Sequence, residues 1–108
     1  MNFRELKPGD DIFTLDLDTN MVCVRSIIGI SEGMRGGIEI RSIGYTMLDE
    51  DAVAITEWDM DKRMVETHQK IKWFADKDLF REEIETQLNA LRFAADEMEK
   101  VINEIKEG

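Results

Sequence analysis

Proline, histidine and cysteine each occur once in the 108 residues of this chain. With Cys23 alone, no internal disulfide can form, and a reducing, cytoplasmic setting is the expectation. His68 alone falls short of the sets that hold zinc, and neither Cys23 nor Glu66 stands at a recognised ligand spacing from it. Cys23, flanked by Val22 and Val24, reads as a packing residue. No apolar run approaches the roughly 18 to 20 residues that span a bilayer. The opening Met-Asn-Phe-Arg-Glu-Leu-Lys lacks the apolar stretch of a secretory signal, so no membrane partner is expected. Basic residues are scarce as well, 14 against 24 acids, for a net charge of −10. Such a surface is repelled by phosphate, which disfavours direct DNA or RNA binding. Most small acidic proteins are simply well solvated. The sharper reading is a basic protein partner, whose nucleic-acid groove an acidic surface can occupy.

The remaining composition, 43% apolar and 35% charged, describes a folded chain. Residues 1–75 read as short strands between turn signals. Pro8-Gly9-Asp10 opens a turn. Asp11 to Leu17 follows as a half-buried strand, Phe13, Leu15 and Leu17 on one face and Thr14 and Asp16 on the other. After the turn formers Asp18-Thr19-Asn20, Met21 to Ile30 makes a longer strand with Val22, Val24, Ile28 and Ile30 in register. Gly29 marks a bend or bulge in it. Ser31 to Gly37 is a glycine-rich hairpin loop. Ile38 to Ile43 returns with Ile38 and Ile40 inward, and Gly44 to Asp51 is less regular. Ala52 to Trp58 is another strand, Asp59 to Lys62 a turn, and Arg63 to Phe74 one or two more strands. About five short strands at this spacing favour a small antiparallel barrel or strongly bent sheet.

From residue 76 to 108 the pattern changes to a single helix. Asp76 or Asp78 can cap it, and Glu82 and Glu83 suit its N-terminal dipole. Ile84, Leu88, Leu91, Ala95, Met98, Ile102 and Ile105 alternate steps of four and three, which is a heptad seam. Phe93 falls on the opposite face. About 30 residues at about 1.5 Å each give roughly 45 Å. A 75-residue domain is only about 30 Å across. A straight helix therefore overhangs its domain, and its seam calls for another copy of the chain. The alternative is a break near Asn89 that folds the helix back. Self-association is the favoured expectation, and with it a homo-oligomer.

Chemical motifs are few. Asp16-Leu17-Asp18-Thr19-Asn20 has the acid spacing that opens a calcium loop, but Met21 stands at the glycine position and Ile27 at the bidentate acid. Turn chemistry accounts for these residues better. Arg35-Gly36-Gly37 is a hairpin turn in which glycine supplies positive φ, and no Gly-Lys-Ser/Thr follows to make a phosphate loop. Asp49, Glu50, Asp51, Glu57, Asp59 and Asp61 form the densest acidic run, with no base among them and with Trp58 as an anchor. They are either two solvated turns or a patch for a basic partner. No catalytic residue, cofactor site or metal site is expected from the sequence.

Leu6-Lys7-Pro8-Gly9-Asp10-Asp11-Ile12-Phe13 resembles the first turn and strand of small SH3-like barrels. The late strand running into Phe74-Ala75-Asp76-Lys77-Asp78 and an acidic helix is similar to small uncharacterised proteins of phages and bacterial mobile elements. The resemblance implies a fold and a class of origin, and it carries over no catalytic residue. The usual terminal helix of such proteins is short, whereas this one extends to about 30 residues.

The sequence thus predicts an α+β protein, an SH3-like barrel or bent sheet over 1–75 followed by a long amphipathic helix over 76–108. Its leading function is non-enzymatic assembly through the helix, and an acidic inhibitor or nucleic-acid mimic is the alternative.

Overall fold

Lys7 to Asp10 closes a tight turn, the Asp10 N–H donating to the Lys7 carbonyl (3.0 Å). Gly9 sits there at φ +94°, which a side chain would strain. The turn delivers the chain into β1 (Asp11–Asp16). The other strands are β2 (Val22–Glu32), β3 (Ile38–Gly44), β4 (Glu50–Ile55), β5 (Met64–Glu66) and β6 (Ile71–Phe74), and α1 (Lys77–Glu107) ends the fold. The computed structural model describes residues 1–46 and 48–107, and Gly108, expected at the end of the helix, lies outside them.

All neighbouring strands are antiparallel, in the order β4-β3-β2-β1-β6-β5. The sheet curls into a half-barrel with β4 and β5 at its edges. Six strands lie among the described residues, in keeping with the expected bent sheet of about five: Arg63 to Phe74 supplies two, divided by a Thr67–Lys70 turn in which Lys70 takes φ +59°. The expected strand Ala52 to Trp58 instead starts at Glu50 and ends at Ile55. Trp58 lies on a 3-10 turn (Glu57–Asp59). At the β3–β4 end, a Cβ on Gly37 would sit 2.4 Å from the Ile55 carbonyl oxygen, so this close approach demands glycine.

The concave face holds the main core. Ile12, Ile27, Ile40, Val53, Ile55 and Trp73 pack there, closed off by Phe3, Leu6 and Met60. Arg25 is also inside, only 4% exposed. Its Nε donates to Ser42 Oγ (2.8 Å), and its Nη2 donates to the carbonyls of Ser42 (3.1 Å) and Asp49 (2.8 Å). Its guanidinium carbon lies 6.0 Å from the Trp73 ring centre. Such pairing is what makes burying a charge tolerable.

The β2 pattern needs correction here. Val22, Val24 and Ile28 are exposed, while Arg25 and Ile27 face the core. Register shifts between Ile27 and Gly29, so that Ile30 rejoins the interior beside Ile40. Apolarity alone misreads this strand, because its inward phase is carried by an arginine with polar partners waiting for it.

A second, smaller core lies on the convex face. Phe13 and Leu15 of β1 and Phe74 of β6 receive Phe80 from the first turns of α1. The Phe80 ring stacks 4.8 Å from Phe13 and sits tilted 5.3 Å from Phe74. The strand β1 is therefore buried on both faces, not half-buried as its alternation implies. Asp76 caps the helix, its Oδ1 accepting from the Leu79 N–H (2.9 Å). Lys72 and Glu83 form an ion pair beside this root. The helix packs chiefly on β1 and β6, and Val22 and Val24 on β2 stay exposed.

Phe80 ties helix to sheet, which predicts that Phe80→Ala costs about 3–5 kcal/mol in urea unfolding. A loss below about 1 kcal/mol would mean that the helix root contributes little to the fold.

Candidate functional site

The helix runs unbroken through Asn89 and leaves the domain. The molecule measures 63 × 28 × 23 Å, and its radius of gyration is 17.7 Å. A compact chain of this length would have a radius near 13 Å. The fold-back alternative does not occur. Ile84 packs against the convex core, and Gln87 is half-buried. From Leu88 to Lys106 every residue is exposed.

The seam residues therefore fall into two groups. Ile84 is covered by the chain's own sheet. Leu88, Leu91, Ala95, Met98, Ile102 and Ile105 form a bare apolar line, with Leu88 43% and Ile105 73% exposed. Val101 widens that line and borders a shallow groove with Met98 and Ile102. Phe93 is exposed too, on the face away from the seam by helical phase. Apolar residues in this number along one stripe exceed the scattered exposure that ordinary surfaces carry.

The acidic run is dispersed by the fold. Asp49 sits 3.4 Å from the buried Arg25 guanidinium, and Glu50 pairs with Arg41. Asp59 pairs with Lys62 and Asp61 with Arg4, each at 2.8 Å. Four of the six acids are thus matched by cations of the same chain. Glu57 lies against Gly36 at the β2–β3 hairpin. Asp51 and the paired Asp59 both line a cavity of about 370 Å³ between the edge strands β4 and β5, as do His68, Thr67 and Trp73. Trp58 stands 86% exposed and does not line that cavity. Sequence reasoning did not find the cavity, since its two walls come from strands that no local pattern brings together.

Other motifs resolve locally. Asp16 Oδ1 accepts from the N–H groups of Asp18 (2.9 Å) and Thr19 (3.3 Å), and Asn20 takes φ +59°, as turn chemistry requires. Gly36 has the expected positive φ, and Arg35 shares it at +53°. Among the described residues, no group of three His, Cys, Asp or Glu is placed to hold a metal ion. None of their helices is long and apolar enough to cross a membrane. No family model, curated protein sequence or solved structure matches this chain.

Asp59 and Asp61 are held below the ordinary carboxylate range, chiefly by the side-chain hydrogen bonds from Lys62 and Arg4 respectively. Each therefore adds stability that is present above about pH 4 and lost as the pH falls through its folded value. Urea midpoints measured from about pH 7 to about pH 3 should fall towards acid. In Asp59→Asn/Asp61→Asn the neutral-pH midpoint should drop and the acid decline should flatten. An unchanged acid decline would show that these two pairs add nothing to it.

Proposed function

We propose that this chain is a non-enzymatic assembly protein that self-associates through its C-terminal helix. The observation that carries the reading is the bare heptad seam from Leu88 to Ile105 on a helix that runs unbroken and is exposed beyond its root. Docking at Phe80 supplies the costly helical nucleus, so the projecting part needs only propagation. Even so, about 20 residues in water with nothing packed against them fray readily. A second seam laid on the first covers the apolar line and holds both helices. The half-barrel then serves as the module carried at the helix root.

This reading extends to a cytoplasmic protein of phage or mobile-element type, in line with the resemblance of its two ends. The rival reading, an acidic inhibitor occupying the basic groove of a partner, draws on the net charge of −10. The internal pairing of Asp49, Glu50, Asp59 and Asp61 weakens the patch on which it relied.

Sedimentation at micromolar concentration should give an oligomer, with helicity by circular dichroism rising with concentration. Leu91→Glu/Met98→Glu should weaken association on the order of a thousandfold, since burial of each such side chain contributes on the order of 1 kcal/mol and a symmetric pair loses four. The variant should stay soluble and keep its sheet. A strictly monomeric wild type would sink the proposal, and unfolding of the variant would place the seam in the domain core.

A further inference from the structure

The seam holds more information than its apolarity. With Ile84, Leu91, Met98 and Ile105 at d and Leu88, Ala95 and Ile102 at a, the e positions are Glu85, Arg92, Glu99 and Lys106. Their charges alternate strictly. The g positions are Gln87, Ala94 and Val101, with no charge at all. In a parallel helix pair e faces g of the partner, and in an antiparallel pair e faces e and g faces g. A parallel pair would set Glu99 and Lys106 against the partner's Ala94 and the partner's Val101, and would form no ion pair. It would also stack Ala95 on the partner's Ala95, leaving a gap in the middle of the seam.

We infer that the helix pairs with a second copy of this chain in antiparallel orientation, in the register that sets Leu88 against the partner's Ile105. This rests on the self-association proposed above and adds its orientation and register. The same register sets Leu91 against the partner's Ile102 and Ala95 against the partner's Met98, small against large. Every bare seam residue then faces another bare seam residue. On one flank Glu85 meets the partner's Lys106 and Arg92 meets the partner's Glu99, giving four ion pairs across the dimer. On the other flank Ala94 meets the partner's Val101, apolar against apolar.

Neighbouring registers fail on charge. One heptad towards the domain sets Glu85 against the partner's Glu99 and Arg92 against the partner's Arg92. It also drives the partner's Ile105 onto the helix root, where α1 is already packed on the sheet. One heptad away sets Glu99 against the partner's Glu99 and Arg92 against the partner's Lys106, and leaves Leu88 and Leu91 bare. Repulsion in both neighbours and attraction in one register is how helical pairs select a single alignment. Ile84 extends the same seam onto the domain's convex core, so the partner helix continues the line that the sheet begins. The product is a dumbbell with half-barrels at opposite ends.

Cross-linking tests the arrangement. In a Cys23→Ala background, chains carrying Leu91→Cys are mixed with chains carrying Ile102→Cys and oxidised. The antiparallel register predicts a disulfide between position 91 of one chain and 102 of the other. Two 91 positions would lie about 16 Å apart along the axis, beyond disulfide reach. A 91-to-91 link, or a particle larger than a dimer, overturns the orientation while leaving self-association standing. A monomer by sedimentation overturns both. Charge reversal gives a second reading without touching the seam. Arg92→Glu should weaken the wild-type dimer about tenfold, and adding Glu99→Arg should restore it. Failure of the second change to rescue the first overturns the register.

Discussion

Everything beyond the sheet hangs on the packing of Phe80 between Phe13 and Phe74. That contact is the root of α1, and it rests chiefly on the convex face of β1 and β6. It sets the direction in which the helix leaves and supplies its first ordered turns. It also explains why the rest of the helix is bare, since β1 and β6 are short and α1 has passed their edge by Leu88. A 31-residue helix is about 46 Å long at about 1.5 Å per residue, longer than the roughly 30 Å breadth of such a domain.

The interior of the half-barrel solves a different problem. Arg25 brings a charge into the concave core, and its donors are taken up by Ser42 and Asp49. The same guanidinium lies over Trp73. One side chain thereby links β2, β3, the segment leading to β4, and β6. Asp49, which in the chain opens an acidic run, stays at the surface but is tied to that link, its carbonyl accepting from Arg25 and its carboxylate lying 3.4 Å from the guanidinium.

Much of the fold is legible along the chain. The Pro8–Asp10 turn, the bulge at Gly29, the inward Ile38 and Ile40, and the Asp76 cap each rest on interactions within a few residues. Local chemistry suffices for them. The inward phase of β2 was not legible, because Arg25 looks like a surface residue until Ser42 and Asp49 are brought beside it. The double burial of β1 was hidden for a related reason: one cover is the sheet's own curl and the other is a helix that begins more than 60 residues later. The cavity between β4 and β5 depends on two edges that only the curl of the sheet brings together.

The heptad seam, its unbroken length and the alternating charges at its flank can all be read from residue order. Periodicity and helix geometry are properties of neighbouring residues, and they need no distant partner. Which part of that seam is free could not be read there. It required knowing where the sheet ends and where Phe80 docks, since coverage depends on the positions of elements far apart in the chain. The division of the seam at Ile84, covered on one side and bare on the other, is a tertiary fact. It divides one helical pattern into a covered root and a bare apolar stripe.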